Sequence, residues 1–294
     1  GFIPVEKESE SVSKTLEYAY DDWTIAQMAN VMGEQEDYKT FIERSQNYIN
    51  VFDPTTKFMR GRFRNTWFAP FDPYEVNFNY TEANSWQYSF YVPHDITGFM
   101  NLLGGKDQLE KQLDDLFIAD DKTSGREQAD ITGLIGQYAH GNEPSHHMAY
   151  LYNFVNKPYK TQEKTRQILT ELYTNSPDGI SGNEDCGQMS AWYIFSSLGF
   201  YPVTPGSNQY IIGSPLFDKA TIHLEGGKLF TVEAKNNSLE NKYIKNVQLN
   251  NKAYPYSYLK HSDIVNGGNL VFEMTDRPTN WGTSDDFIPS TEIK

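Results

Sequence analysis

Acidic, amide and aromatic side chains are concentrated in three short stretches of this chain. The stretches cover residues 82–95, 140–147 and 178–188, and each lies at the edge of segments with helical spacing. Long ordered connections in compact domains are often functional. The pattern therefore predicts a site built from side chains at helix ends rather than on helix faces.

Two carboxyl groups from different stretches, Glu82 and Asp185, have the chemistry of a glycosidase pair. Glycoside hydrolysis uses one carboxylic acid to protonate the leaving oxygen and a second carboxylate as base or nucleophile. Because the two residues stand on different loops, the fold can set their separation. A single loop carboxylate is more often a solvated charge or a helix cap, so the residues alone leave this interpretation open.

Three further side chains, Gln87, Asn142 and Glu143, offer the amide and carboxylate oxygens that Ca²⁺ prefers. A structural alternative exists for two of them. Pro144 suits the first turn of a helix, and Asn142 and Glu143 would then cap that helix. The residue types predict a calcium site, with capping as the open alternative.

Apolar residues recur at helical spacing from the start of the chain to about Pro205. The first helix is predicted from Val12, Leu16, Ala19, Trp23 and Ala26. Ser13 is its predicted cap and Gly33 its stop, and a second helix is expected to end at Asp53, before a proline. Further helices are predicted at 96–103, 106–118, 127–137, 144–156, 159–174 and 186–198.

A change in the spacing of the apolar residues divides the chain into two predicted regions. Repeated helix pairs predict an α/α toroid, the catalytic region, over residues 1–205, and period-two patterns predict antiparallel β-strands over 206–294. About eight helices fall short of the twelve in a closed (α/α)6 toroid, so the toroid is expected to be incomplete. The missing helices are expected upstream of Gly1.

Composition narrows the classes of function. The chain has 25 basic and 39 acidic residues, a formal charge of -14, which argues against nucleic acid as a partner. No apolar run is long enough for a membrane span. Aromatic residues reach 15%, an excess typical of clefts that bind sugars.

The one cysteine, Cys186, is predicted to be a small buried residue. The start at Gly1, without a leader, suggests part of a longer protein.

The motifs around these residues closely resemble glycoside hydrolase family 92, the bacterial calcium-dependent exo-α-mannosidases. The resemblance spans nearly the whole chain, because several motifs occur in order. They are Leu16-Glu-Tyr-Ala-Tyr-Asp-Asp-Trp, Glu82-Ala-Asn-Ser-Trp-Gln-Tyr, Val92-Pro-His-Asp, Gly141-Asn-Glu-Pro-Ser-His-His, Gly182-Asn-Glu-Asp-Cys-Gly-Gln-Met-Ser-Ala-Trp-Tyr and Gly199-Phe-Tyr-Pro-Val.

The resemblance implies an N-terminal β-sandwich domain packed on an (α/α)6 catalytic toroid, with inversion at the anomeric carbon. This chain is then expected to be the C-terminal part of such a protein. The sandwich and the first toroid helices would be missing from it. Activity of this chain alone is therefore left open.

The resemblance also implies roles for individual residues. Glu82 matches the general acid, which its surroundings should keep protonated, and Asp185 matches the general base that activates water. Many relatives carry a second aspartate where this sequence has Asn183, which leaves Asp185 as the base and makes Asn183 a residue that orients substrate.

The family's calcium ion lies beneath the mannose ring, and the resemblance assigns Gln87, Asn142 and Glu143 to it. Three more residues are expected to contact substrate. They are Trp86, Asp95 and His140.

The sequence thus predicts an exo-acting, calcium-dependent, inverting α-mannosidase that acts on mannose-rich oligosaccharides or glycoprotein glycans. The α-1,2 linkage is expected only because it is a common activity of the family. Two alternatives remain: a sugar-binding fragment without turnover, and a toroid-fold hydrolase for another sugar. The resemblance places such a protein in the bacterial periplasm or outside the cell.

Overall fold

A computed structural model of the chain describes residues 1–291 and 293, which form two compact units. The first unit comprises Gly1–Ser145 together with Thr291, and the second comprises His146–Ser290. Among the described residues, no helix is both long and apolar enough to cross a membrane.

The first unit begins with a helical hairpin. Helix α1 (Ser11–Met32) is followed by α2 (Gln35–Arg44) and a 3₁₀ segment (Ser45–Val51). Gly33 ends α1 with φ 82°, as predicted, and the five apolar positions that predict α1 are all buried. The predicted cap is wrong, because Ser13 lies inside the first turn, where its hydroxyl accepts a hydrogen bond from the Thr81 amide at 2.8 Å.

Three short helices and paired two-residue strands complete the first unit. The helices are α3 (Ser85–Tyr88), α4 (Ile96–Leu103) and α5 (Lys106–Ile118). The strands are β1 (Phe52–Asp53), β2 (Phe58–Met59), β3 (Arg62–Phe63), β4 (Thr66–Trp67), β5 (Glu75–Val76), β6 (Ser124–Gly125), β7 (Leu134–Ile135) and β8 (Tyr138–Ala139). They pair β1–β2, β3–β4 and β7–β8 antiparallel and β5–β6 parallel. The helices predicted at 96–103 and 106–118 are confirmed.

The helix predicted at 127–137 is absent from the structure. The segment instead forms the β7–β8 hairpin, and Gly133 and Gly136 adopt φ values of 62° and 61°. These values lie in the left-handed region, which cannot continue a right-handed helix. The hairpin leads directly to the predicted site stretch at 140–147.

The Gly136 turn provides a test of this local structure. A Cβ at Gly136 would lie 2.4 Å from the Leu116 carbonyl oxygen, in addition to the left-handed strain. We expect Gly136→Ala to lower the free energy of unfolding by about 3 kcal/mol. Gly33→Ala, which meets nothing within 4 Å, should cost only about 1 kcal/mol. Urea unfolding of both variants measures the difference, and equal losses would contradict the steric argument.

The second unit combines helices with two sheets. After a 3₁₀ segment (Met148–Val155), where an α-helix is predicted, it contains α6 (Pro158–Glu171), α7 (Gln188–Leu198) and α8 (His261–Val265). Its strands are β9 (Phe200–Tyr201), β10 (Gln209–Ile212), β11 (Lys219–His223), β12 (Leu229–Lys235), β13 (Tyr243–Leu249), β14 (Lys252–Ala253), β15 (Tyr258–Lys260) and β16 (Gly268–Thr275).

The strands form a five-stranded sheet in the order β11-β12-β16-β13-β14 and a three-stranded sheet in the order β15-β10-β9. In the five-stranded sheet, β11–β12, β13–β14 and β13–β16 pair antiparallel, whereas β16 pairs parallel to β12. Strand β16 lies between β12 and β13, two strands that precede it in the chain. It runs antiparallel to β13 and therefore parallel to β12 on its other side. The inner faces bury an apolar core that includes Phe230, Val232, Ile244, Leu270 and Phe272.

Candidate active site

A capping box at α3 holds the first polar stretch in place. The Asn84 side chain accepts a hydrogen bond from the Gln87 amide at 3.3 Å, and Gln87 Oε1 accepts one from the Asn84 amide at 3.1 Å. Gln87 is buried, and within the described part of the chain its Nε2 has no hydrogen-bond partner. The side-chain oxygen that would bind a cation is thus already engaged by one N–H group.

Glu82 lies just before this helix in a strained conformation. Its φ is 50°, a left-handed value that costs a residue other than glycine about 1–3 kcal/mol. The Glu82 side chain is exposed, and its backbone carbonyl accepts a hydrogen bond from Asn142 Nδ2 at 3.2 Å. This bond joins the first polar stretch to the second.

A cavity of about 290 Å³ brings together residues of both stretches. This volume is near the lower end of ligand pockets, about 300–1,000 Å³. Its lining residues are Glu17, Thr81, Glu82, Tyr88, Tyr91, Asn142, Glu143 and Pro144. Three predicted site residues therefore share one cavity, whereas the predicted residues Trp86, Gln87, Asp95 and His140 are not among its lining.

The cavity lining contains acidic, amide and hydroxyl side chains but no lysine, arginine or histidine among the described residues. Such a lining disfavours an anionic ligand and suits a neutral polyol or a cation. The side chain of Asn142 does not cap the following 3₁₀ turn (Glu143–Ser145), because the Ser145 amide donates to the Asn142 backbone carbonyl at 3.2 Å and no described N–H group donates to Asn142 Oδ1. The capping alternative for Asn142 is therefore not what the structure shows.

Glu17, on α1, is a cavity residue to which the sequence assigned no role. Its Oε1 accepts a hydrogen bond from the Tyr88 hydroxyl at 2.7 Å. Burial raises the pKa of Glu17 because it removes water from the charged form, and the Tyr88 hydrogen bond opposes that shift. The residue stands in the motif Leu16-Glu-Tyr-Ala-Tyr, but its contact with Tyr88, 71 positions away, has no local signal in the sequence.

Trp86 lies in an aromatic cluster. Its ring is 8% exposed and meets Phe58 edge-on at 4.7 Å and Tyr74 at 6.0 Å between ring centroids. Its Nε1 is buried without a hydrogen-bond partner in the residues that the structure describes. The structure therefore places Trp86 in the core of the first unit, not on an open surface.

Asp95 and His140 are also buried and hydrogen-bonded within the first unit. Asp95 caps α4, with Oδ1 accepting from the Gly98 amide at 2.9 Å and Oδ2 from the Tyr48 hydroxyl at 2.7 Å. The Nδ1 atom of His140 lies 2.8 Å from the Tyr138 hydroxyl. These contacts give both residues structural roles, and their contact with substrate stays a prediction.

His94 next to Asp95 is similarly fixed, because its Nε2 lies 2.9 Å from the Ser45 carbonyl oxygen. Burial lowers the pKa of His94 to about 4, since desolvation disfavours the imidazolium. The ring is therefore neutral at physiological pH and helps to hold the Val92-Pro-His-Asp segment in place.

In the second unit, Asp185 stands on the loop that leads into α7. Asp185, Cys186 and Gly187 adopt φ values of 46°, 61° and 89°, three left-handed residues in succession. Asp185 and Asn183 are exposed. Cys186 is exposed as well, so the prediction of a buried cysteine is wrong; the left-handed turn directs this segment away from the core. Left-handed residues other than glycine, such as Asp185 and Cys186, are concentrated at functional sites.

The neighbouring Glu184 is held by the first turn of α7. Its two carboxylate oxygens accept hydrogen bonds from the Ser190 amide at 2.9 Å and the Ser190 hydroxyl at 3.0 Å. A cavity of about 590 Å³ lies beside this segment and is lined in part by Tyr173, Tyr193 and Glu184. Both side-chain oxygens of Glu184 are engaged, whereas the carboxylate of the adjacent Asp185 is exposed.

The residues that the structure describes contain no group of three or more His, Cys, Asp or Glu side chains placed to hold a metal ion. A calcium site would therefore depend on amide or backbone oxygens as well. Asn142 Oδ1 and the Glu143 carboxylate accept no hydrogen bond from any described residue, and both residues line the cavity. They fit a calcium ion by their chemistry, whereas Gln87 has only the second lone pair of its oxygen to offer.

Comparison with known proteins gives consistent matches. The sequence matches the glycosyl hydrolase family 92 catalytic domain over residues 1–276. The structure is similar to a family GH92 α-mannosidase of Bacteroides thetaiotaomicron, solved in complex with mannoimidazole, with 44% identity and a TM-score of 0.93. The match covers 99% of this chain and 39% of that protein.

Two further relatives match this chain over nearly its whole length. A family GH92 inverting mannosidase of Bacteroides thetaiotaomicron is 37% identical with a TM-score of 0.90, over 100% of this chain and 41% of that protein. An uncharacterized secreted glycosidase of Arthroderma benhamiae is 28% identical over 98% of this chain and 40% of its own length. The chain thus spans about 40% of the length of these relatives.

Proposed function

This chain belongs to glycosyl hydrolase family 92, and we propose that it forms part of an exo-acting, calcium-dependent, inverting α-mannosidase. The proposed substrate is a terminal mannose of an oligosaccharide or glycoprotein glycan, with an α-1,2 linkage as the first choice. One observation carries the proposal: Glu82, Asn142 and Glu143 line the same cavity. We further propose that the helical region contributes to an (α/α)6 toroid in the C-terminal part of a longer protein.

In this proposal, Glu82 protonates the glycosidic oxygen as the bond to the anomeric carbon breaks. Asp185 removes a proton from the water that attacks the opposite face of the sugar, and Asn183 orients the substrate. Inverting glycosidases in general hold their two carboxyl groups about 6.5–9.5 Å apart, with room for that water.

Asn142 and Glu143, with Gln87 as a weaker candidate, would hold the calcium ion. A bound Ca²⁺ supplies positive charge to sugar hydroxyls in a lining that otherwise contains only acidic and neutral groups. Asn142 also ties its loop to the Glu82 carbonyl, which would keep the proposed cation ligands and the proposed acid together.

The relatives support this proposal, since two of them are mannosidases and one of these is inverting. The secreted glycosidase among them supports a location outside the cytoplasm. A second candidate function is sugar binding without turnover. It is favoured by one observation, namely that the chain spans only about 40% of its relatives.

Release of mannose from α-1,2-mannobiose tests the proposal. We expect release in the presence of Ca²⁺, a decrease of at least about tenfold after EDTA treatment, and recovery when Ca²⁺ but not Mg²⁺ is returned. Release that EDTA leaves unchanged would contradict the calcium assignment. Binding of mannose without release by this chain would support the second candidate.

A further inference from the structure

The Glu17 carboxylate occupies a distinct position in the 290 Å³ cavity. It is contributed by α1, whereas Glu82 comes from the loop before α3, and Asn142 and Glu143 come from the stretch after the β7–β8 hairpin. Its Oε1 is fixed by the Tyr88 hydroxyl at 2.7 Å, and Tyr88 also lines the cavity. A side chain held on one oxygen has a defined orientation and loses little entropy when it binds a ligand.

The second oxygen of this carboxylate is available. Among residues 1–291 and 293, no group donates a hydrogen bond to Glu17 Oε2. An ionised carboxylate has about four acceptor positions, and leaving them without donors in a half-buried place is unfavourable. No basic side chain lines the cavity, and the hydroxyl and amide groups of the described lining do not bond to Oε2, so water or a ligand supplies the donors. A sugar hydroxyl is a neutral donor of the right kind.

We infer that Glu17 is a specificity-determining residue that accepts a hydrogen bond from one hydroxyl of the bound sugar, oriented for this task by Tyr88. The inference rests on the proposed function, because it takes the cavity to be the mannose site. Glu17 does not transfer a proton in this role. It selects a sugar with a hydroxyl at one ring position.

Binding of methyl α-mannoside and its 2-, 3-, 4- and 6-deoxy analogues, measured by calorimetry in the presence of Ca²⁺, tests this role. The measurement uses the full-length polypeptide and compares wild type with Glu17→Gln and Tyr88→Phe. We expect Glu17→Gln to weaken binding of methyl α-mannoside by about tenfold, since hydrogen bonds to charged groups are the stronger ones. Tyr88→Phe should weaken it less, because it removes only the orienting contact.

The deoxy series separates recognition from a structural role. One deoxy analogue should bind wild type and Glu17→Gln equally, because the hydroxyl that Glu17 accepts is absent from it. The remaining analogues should keep the roughly tenfold difference. Glu36→Gln, an exposed carboxylate on α2 paired with Lys39, serves as the matched control and should change nothing.

Two results would overturn the inference. Unchanged binding by Glu17→Gln, or an equal loss for every sugar in the series, would show that Glu17 only joins α1 to α3 through Tyr88. Mannose release by wild type would in that case leave the proposed function standing. Failure of wild type to bind any of the sugars would instead contradict the proposed function and the role of Glu17 together.

Discussion

Replacing Glu82 by glutamine is expected to lower the rate of mannose release from α-1,2-mannobiose by two to four orders of magnitude, about 10²–10⁴-fold. Glutamine keeps the size of the side chain but has no acidic proton to donate. The sugar leaving group of mannobiose is a poor one unless its oxygen is protonated. The loss should appear in kcat more than in KM, since the proton is transferred in the transition state.

A substrate that needs no acid separates this role from a general loss of structure. 2,4-Dinitrophenyl α-mannoside has a leaving group that departs as a stable phenolate. Glu82→Gln should therefore lose less than about tenfold on this substrate, because general acid catalysis no longer contributes. Equal losses on both substrates would contradict the assignment of Glu82 as the acid. Glu36→Gln again provides the control in an exposed carboxylate of the same unit.

The spacing of hydrophobic residues correctly predicts helices that bury one face, as α1 does. The positions that predict α1 are buried, and Gly33 ends the helix in the left-handed conformation. The same rule failed at 127–137, where apolar residues alternate with polar ones but two glycines adopt left-handed φ values and turn the chain into a hairpin. Helical spacing is a weak signal where glycine supplies a competing turn.

Pairings between distant segments lay outside what local patterns can predict. The period-two pattern predicts β12 and β16 as strands, yet their parallel alignment depends on β16 entering the sheet between β12 and β13. The contact between Glu17 and Tyr88 is of the same kind, since it joins positions 71 residues apart. Motif resemblance pointed to Glu82, Asn142 and Glu143, which line one cavity, but it gave no role to Glu17, although that residue also stands in a motif.

Some predicted site residues have clear structural roles in the first unit. Asp95 uses both carboxylate oxygens for the α4 cap and the Tyr48 hydroxyl, and Trp86 packs between Phe58 and Tyr74. A motif records every residue that a site requires, including those that hold its backbone in place. Only the geometry distinguishes a side chain that lines the cavity from one that supports it.

Asp185→Asn is expected to lower mannose release by about 10²–10⁴-fold, and here the loss should be the same on mannobiose and on 2,4-dinitrophenyl α-mannoside. The general base activates the attacking water, and this step is needed whatever the leaving group. Asp185 is exposed in a left-handed turn, so its replacement removes no buried contact and the unfolding free energy should be unchanged. Parallel urea unfolding verifies that point.

Asn183 supplies the sharper control for the base. If position 183 could provide the base, Asn183→Asp should restore release to the Asp185→Asn variant. We expect no recovery in this double variant, because the role depends on where the left-handed turn places the carboxylate at 185 and not on the charge of the loop.

Asp185→Ala should regain turnover when azide is added, since a small anion can replace the activated water and attack the anomeric carbon as the leaving group departs. The product would then be β-mannosyl azide, and an α-configured product would contradict inversion.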